Sequence, residues 1–162
     1  SGSVVLRAVQ REGRAAGDRH VELLLAAAAP TPGRLTDDDL VRARAFREAV
    51  RDLLSLNAGH DVGLAHRSVL HETARRAPLE VRFAEGRAEL TPAAGGIDAF
   101  LGHLLAVVAR SQAEGTWSRL KACHADSCRW AFYDASKSRT RRWCGDVCGN
   151  LVKVRRFRKA RR

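Results

Sequence analysis

The chain ends in a cysteine-bearing stretch, residues 123–162, with the sequence CHADSCRWAFYDASKSRTRRWCGDVCGNLVKVRRFRKARR. The four cysteines of the protein all lie here, spaced as C-x4-C, fifteen intervening residues and C-x3-C. Two such knuckles, separated by enough chain for a strand, a turn and a return, are the usual sequence pattern of a tetrahedral zinc site. The stretch therefore predicts a small module folded around one metal ion.

Cysteines have three main uses, which are disulfides, redox chemistry and metal binding. No stretch resembles a secretory signal and the chain is not cysteine-dense, which disfavours disulfides. A redox pair would favour C-x2-C at the start of a helix. We therefore expect one structural Zn²⁺, with no open position for water or substrate. The expected ligands are Cys123, Cys128, Cys144 and Cys148. His124, inside the first knuckle, is an alternative ligand.

The positive charge is concentrated at one end of the chain. Residues 1–117 contain 15 Lys+Arg and 15 Asp+Glu, whereas residues 118–162 contain 14 and 3, so the C-terminal part carries the whole net charge of +11. This asymmetry favours a polyanionic partner, most often nucleic acid. A solvated tail that only aids solubility is the alternative reading.

The segment after Cys144 predicts a basic helix that carries the last cysteine. Val147, Leu151 and Val154 form a narrow apolar seam at i, i+4, i+7, and cations occupy most of the remaining surface. Such a helix can lie against phosphates or in a groove. The candidate nucleic-acid contacts are Arg139, Arg141, Arg142, Lys153, Arg155, Arg156, Arg158, Lys159, Arg161 and Arg162.

Aromatic residues lie between the two knuckles. Trp130 and Phe132 have strand-like spacing, and Trp143 directly precedes the third cysteine. We expect these three side chains to pack against the metal loops, because so short a module buries little else. Base stacking is the functional alternative, and Tyr133 is left open between the two roles.

The residues before the cysteine stretch predict helices and one β-hairpin. Thr36, followed by three aspartates, predicts the start of a helix that continues to about Leu56. A weaker helix is expected over 64–77, and alternation over 79–90 predicts a β-hairpin with one buried face. Residues 97–108 have the clearest helical periodicity, which predicts the central core helix.

These predictions define an α+β protein with two parts. Residues 1–117 form a mainly helical domain with one β-hairpin, and residues 118–162 form a small zinc-ribbon-like module that ends in the basic helix. A short helix over 20–28 and a linker over 30–33 are also expected. Because the chain starts with Ser-Gly-Ser and has no methionine, we expect that its native N-terminal segment has been removed.

The cysteine stretch resembles the CGNR zinc-finger family of bacterial proteins. The shared positions are Cys123, Cys128, Trp130, Phe132, Asp134, Ser136, Arg141, Arg142, Trp143, Cys144, Cys148, Gly149, Asn150, Lys153, Arg155 and Arg156. Leu151 stands where the family has arginine. The resemblance implies a transcription regulator, although some members are described as RNA binders. Residues 40–117 resemble, more loosely, the family's helical ABATE domain, for which a stress-linked regulatory or ligand-sensing role is proposed.

The sequence as a whole predicts a DNA-binding transcription regulator, in which the zinc module orients the basic helix. The alternatives are an RNA-binding zinc ribbon and an interaction module that docks on an acidic protein. No enzyme is expected, because the chain has no paired-carboxylate, Ser/His/Asp or phosphate-loop signature. We expect a cytoplasmic protein, nucleoid-associated if it binds DNA, and no membrane partner, because no segment approaches the roughly 20 apolar residues of a membrane span. A small-molecule effector of the N-terminal domain and a homodimer are further expectations.

Overall fold

The computed structural model describes residues 35–161, apart from the side chain of Arg156. The expected helix over 20–28, the linker over 30–33 and Arg162 lie outside the described residues. In chain order the elements are α1 (Asp37–Asn57), α2 (Ala65–Arg76), β1 (Leu79–Ala84), β2 (Arg87–Pro92), α3 (Gly96–Ala113), a 3₁₀ turn (Trp117–Arg119), β3 (Leu120–Ala122), β4 (Ala131–Tyr133) and α4 (Asp146–Ala160). The predicted mixture of helices, one hairpin and a terminal helix beside the cysteines is confirmed. Within residues 35–161 no helix is both long and apolar enough to cross a lipid bilayer.

Helix α1 begins where the sequence predicts. The backbone N–H of Asp39 donates to the Thr36 hydroxyl at 3.2 Å, and the backbone N–H of Thr36 donates to the Asp39 carboxylate at 3.0 Å. This reciprocal pair is a capping box, which satisfies two backbone donors that the first turn would otherwise leave without partners. The helix therefore has a fixed start.

The N-terminal core forms where α1 crosses α3. Phe46 of α1 is buried against Ile97, Leu101 and Leu104 of α3. This arrangement confirms the predicted core helix. Gly102 of α3 is also buried, and a Cβ atom there would lie 3.2 Å from the Cβ of Ala77. Glycine is therefore the residue that allows the end of α2 and the base of the hairpin to approach the helix closely.

The hairpin forms in the expected place, but its buried face was predicted wrongly. Strands β1 and β2 are antiparallel, from Leu79 opposite Pro92 to Ala84 opposite Arg87. Val81 is 59% exposed and Phe83 is 81% exposed. Only the base of the hairpin packs on α3, and the half that carries the turn extends beyond the helix. The alternation of polar and apolar residues thus predicted the strands correctly, but it did not predict that Val81 and Phe83 would be exposed.

The C-terminal module is attached to the N-terminal part along α1. Strand β3 packs on this helix, and the Asn57 side-chain amide donates to the carbonyl oxygens of Trp117 and Leu120 at 2.8 and 2.9 Å. Nearer the cysteines, Arg129 forms an ion pair of 2.8 Å with Asp52. The predicted boundary at 117/118 therefore lies in a 3₁₀ turn that is hydrogen-bonded to α1.

The core predicts a contrast between two leucines. Leu101 is 1% exposed, so Leu101→Ala should lower the free energy of unfolding by about 2–5 kcal/mol, through lost burial and a residual cavity. Leu56→Ala makes the same chemical change at a residue that is 44% exposed and should cost less than about 1 kcal/mol. Urea denaturation followed by circular dichroism measures both values, and equal losses would contradict the assigned core.

Candidate metal centre

The first cysteine pair is positioned by a short antiparallel ribbon. Strands β3 and β4 pair from Leu120 opposite Tyr133 to Ala122 opposite Ala131. Beyond the last pair, the backbone N–H of Cys123 donates to the carbonyl of Trp130 at 2.8 Å. The chain between these residues turns tightly, since the N–H of Cys128 donates to the carbonyl of Ala125 at 2.8 Å. Both cysteine side chains are thereby brought to the same end of the ribbon.

The second pair is brought in by the loop and by α4. The backbone N–H of His124 donates to the carbonyl of Arg142 at 2.8 Å, which ties the returning loop to the first knuckle. The N–H of Cys144 then approaches the sulfur of Cys123 at 3.5 Å. Helix α4 starts two residues later, and Cys148 lies in its first turn.

The four sulfur atoms form one compact cluster. All lie within 4.8 Å of one another, and Cys144 Sγ is 3.7 Å from both Cys128 Sγ and Cys148 Sγ. A disulfide would require about 2.05 Å. A zinc ion with Zn–S bonds of about 2.3 Å in tetrahedral geometry places its sulfurs about 3.8 Å apart. The donor set and its spacing therefore fit one structural Zn²⁺.

The cluster also has the electrostatics of a cation site. Burial, together with the neighbouring sulfurs, raises the pKa of the Cys144 thiol well above its usual range and that of Cys148 to about 11. Four thiolates so close together require a cation to compensate their charge. With four protein ligands the coordination sphere is complete, so the ion would fold the module and leave no site for a substrate.

His124 does not join the cluster. Its ring lies 3.8 Å from the ring of His60, which follows α1, and its Nε2 contacts the guanidinium of Arg142. Within the described chain, the residues that come together as potential metal ligands here are the four cysteines. The histidine is thus part of the contact between the module and the N-terminal helices.

The aromatic side chains of the module pack around the sulfurs. Phe132 is buried with Cys123, and Trp130 and Trp143 are partly buried against them. Trp143 also covers Gly149 of α4, where a Cβ atom would lie 3.6 Å from the indole ring. This arrangement supports the packing role predicted for these three residues. Tyr133 is half-buried on strand β4.

A buried ion pair under the ribbon was not anticipated from the sequence. Lys121 Nζ lies 2.7 Å from Asp134 Oδ2, and the two side chains are 7% and 0% exposed. The carboxylate also accepts hydrogen bonds from the backbone N–H groups of Ser136, at 3.0 Å, and Arg141, at 2.9 Å. Burial alone would raise the pKa of Asp134, but these hydrogen bonds, that of Lys121 first, lower it to about 2. The only signal in the sequence was a lysine inside a short apolar strand.

This pair fixes the loop that leads to the third cysteine. Lys121 Nζ also donates to the carbonyl of Arg139 at 2.5 Å, and Arg139 itself has a positive φ of 56°. The loop is therefore held by the side chains of Lys121 in β3 and of Asp134, which directly follows β4. Its conformation depends on a lysine that is buried within the module.

Two of the arginines predicted to contact nucleic acid have contacts within the module. Arg141 donates to the carbonyls of Trp143 and Cys144, at 3.0 and 2.9 Å, and its guanidinium lies 5.7 Å from the centre of the Phe132 ring. Arg142 contacts His124. Both guanidinium groups therefore brace the second knuckle. Arg139 is exposed.

Helix α4 is anchored by a different face from the one expected. Cys148 and Val152 contact the cluster, and Gly149 is buried between them. The predicted seam is not the buried face, since Val147, Leu151 and Val154 are 54%, 50% and 47% exposed. The physical reason is that Cys148 must face the other sulfurs, and this fixes the rotation of the helix. The basic side chains Lys153, Arg155, Arg158, Lys159 and Arg161 are exposed along it.

Zinc binding can be tested at one ligand. Cys144→Ser should remove the ion and unfold the C-terminal module, because a structural metal supplies much of the folding free energy of so small a unit. The core of α1 and α3 should remain folded. Elemental analysis measures the zinc content, and circular dichroism measures the helix that is lost. Ser127→Ala, an exposed change within the first knuckle, is the control, and full zinc occupancy in the cysteine variant would refute the site.

The buried pair generates a second prediction. Asp134→Asn leaves Lys121 charged and buried without its counter-ion, which should destabilise the zinc-loaded module by about 3–5 kcal/mol at pH 7. Because the pKa of Asp134 is lowered on folding, its stabilisation is full above the unfolded value of about 4 and is lost as the pH falls toward 2. The difference between wild type and variant should therefore shrink in acid.

Thermal unfolding at several pH values measures that difference. Asp126→Asn, an exposed change in the first knuckle, is the matched control and should have little effect at any pH. An Asp134→Asn variant as stable as the wild type at pH 7 would contradict the structural role of the pair.

Comparison with known proteins agrees with this geometry. Residues 119–162 match the family model of the CGNR zinc finger. No curated protein shows significant similarity to the chain. The likeness of residues 40–117 to the ABATE domain stays a prediction. The match covers the ribbon, both knuckles and α4, so the C-terminal segment of the chain is similar to the CGNR zinc finger.

Proposed function

We propose that the zinc finger binds duplex DNA through α4 and that the protein acts as a transcription regulator. The observation that carries this proposal is the state of the basic side chains on α4. Within residues 35–161 no carboxylate forms an ion pair with Lys153, Arg155, Arg158 or Lys159. These charges are exposed and uncompensated, which is the electrostatic pattern of a surface that meets phosphates.

The N-terminal arginines provide the contrast. Arg51 of α1 pairs with Glu48 at 2.6 Å, and Arg82 of the hairpin pairs with Glu80 at 3.3 Å. Arg42, also on α1, pairs with Asp98 of α3. Their charge is neutralised within the domain, as the balanced composition of residues 1–117 implies. The positive field of the protein therefore originates in the zinc finger.

The zinc site determines how the basic part of α4 is oriented. Cys148 and Val152 hold the first half of α4 against the cluster, and the described side chains between Lys153 and Arg161 are exposed. A helix clamped at one end and free at the other can enter a groove while its anchored end stays on the protein. The B-DNA major groove is about 12 Å wide and admits an α-helix.

The packing of the aromatic residues favours DNA over RNA. Stacking on unpaired bases requires exposed ring faces, but Phe132 is buried and the two tryptophans pack on the sulfur cluster. The deep, narrow major groove of A-form RNA does not admit a helix. Duplex DNA is therefore the partner that we propose for α4.

The N-terminal domain is the proposed regulatory part. It contacts the finger through Asn57, through the Asp52–Arg129 ion pair and through the His60–His124 ring contact. A ligand that changed the position of the end of α1 would therefore act directly on the module that carries α4. In this proposal the metal has a structural role and no catalytic one.

The salt dependence of binding tests the proposal. If α4 neutralises phosphates, the logarithm of the affinity for a duplex should fall linearly with the logarithm of the salt concentration, with a slope near −0.9 for each contact. The double variant Arg155→Ala, Lys159→Ala should weaken binding and make the slope shallower by about 2. Fluorescence anisotropy with a labelled duplex measures both quantities.

The control removes the same net charge elsewhere. Arg75→Ala with Arg82→Ala eliminates two exposed arginines that are paired with Glu72 and Glu80. We expect this variant to bind DNA with the wild-type slope. Equal losses in the two double variants would show that net charge alone attracts DNA, and binding without salt dependence would contradict the proposal.

A further inference from the structure

Helix α4 carries an exposed row of apolar side chains, formed by Val147, Leu151 and Val154. Each is about half exposed. The row lies beside the face that carries Cys148 and Val152 and contacts the sulfur cluster, since Leu151 is three residues after Cys148. Three apolar residues along one helix face therefore leave about half of their surface uncovered. We call this feature the apolar row.

Positive charges lie beside the apolar row and continue it. The same face continues at i+11 and i+14 from Val147 with Arg158 and Arg161, both exposed. Arg155, four residues after Leu151, lies on one edge, and Phe157, three residues after Val154 and 57% exposed, lies on the other. Arg161 lies over the ring of Phe157, with its Cζ atom 4.4 Å from the ring centre. The outward face of α4 is thus an apolar strip with a cation at one edge, an aromatic ring at the other and cations at its C-terminal end.

The major groove of DNA presents a surface of matching chemistry. Its walls are lined by phosphates, and its floor shows hydrogen-bonding groups and one apolar group, the C5 methyl of thymine. The apolar row is about 10 Å long, from a rise of about 1.5 Å per residue, and therefore spans about three base pairs of about 3.4 Å each. Side chains without polar atoms can contact methyl groups there but cannot hydrogen-bond to base edges.

We propose that the apolar row recognises thymine methyl groups in the major groove while the cations around it contact phosphates. This inference rests on the proposed function and adds the group that is recognised. Leu151 has the central position in the row. Its aliphatic side chain offers a methyl contact that a charged side chain at this position would not.

Two other occupants of the row are disfavoured by the charges. On a helix that lies in an anionic membrane surface, cations occupy the face opposite the apolar one, whereas Arg158 and Arg161 continue the apolar face itself. In a second copy of the chain, the same row would bring its own cations. Five of the fifteen residues of α4 are Lys or Arg, so two such faces would repel each other.

The experiment compares DNA that differs only in the methyl group. A pool of random-sequence duplexes is prepared with thymine and again with deoxyuridine in its place, and the affinity of the zinc-loaded 162-residue chain is measured for each. Burial of one methyl-sized group corresponds to about fourfold in affinity. We therefore expect the deoxyuridine pool to bind about fourfold more weakly, or weaker still if two methyl groups are contacted.

Two variants localise the effect. Leu151→Asn, at an exposed position, should leave zinc content and the salt slope unchanged but should bind both pools equally. Leu56→Asn makes the same change at an exposed leucine of α1 and should keep the fourfold preference. Persistence of the preference in Leu151→Asn would overturn the assignment to the row.

The outcomes separate this inference from the proposed function. Salt-dependent binding that is equal for the two pools would overturn the recognition of methyl groups and leave DNA binding intact. Absence of binding to either pool would overturn both. Binding to phosphatidylserine vesicles that depends on Leu151, with no difference between the DNA pools, would assign the row to a membrane surface and contradict the inference.

Discussion

The convergence of four cysteine sulfurs on one point determines the arrangement of the C-terminal module. Each strand of the ribbon β3–β4 is only three residues long. The ribbon therefore has little apolar surface of its own. The sulfurs, with Phe132 and the two tryptophans, supply the interior that such a short chain otherwise lacks. Because the last ligand belongs to α4, the metal site also decides which face of that helix is buried and which is presented.

The remaining contacts hold the metal module in place relative to its surroundings. The buried Lys121–Asp134 pair fixes the loop between β4 and Cys144, and Arg141 braces the carbonyls on either side of that cysteine. Asn57 and Asp52 attach the module to α1. Together these interactions make the direction of α4 a property of the whole protein. The basic helix α4, whose charge is not compensated by ion pairs among the described residues, is therefore held in a fixed orientation.

The sequence was sufficient to predict the local elements and the ligands that come together. The helix start at Thr36, the core helix α3 and the cysteine cluster all follow from sequence patterns that the structure confirms. What it did not provide was the rotation of α4, because an apolar seam normally marks the buried face. Here the demand that Cys148 reach the other sulfurs outweighs the small gain from burying Val147, Leu151 and Val154.

Two further features were beyond sequence patterns for a related reason. The exposure of Phe83 depends on how far the hairpin extends past α3, which is a tertiary property. The Lys121–Asp134 pair joins a residue of β3 to the residue that directly follows β4, and neither residue type predicts burial. Both features depend on which distant parts of the chain come together in the folded protein, and short sequence patterns do not show this. The exposed apolar row became visible only after the anchored face of α4 was known.

In the proposed function, a metal-held geometry and not charge alone makes α4 a DNA-binding helix. The most direct measurement is the affinity of the 162-residue chain for duplex DNA when it is loaded with zinc, after a chelator has removed the ion, and after zinc is restored. The lysines and arginines keep their charges in all three samples, and loss of Zn²⁺ with reprotonation of the four cysteines makes the module more positive, so charge alone would not weaken binding. We predict that affinity falls at least tenfold on removal and returns with zinc. Equal affinity with and without the metal would contradict the claim.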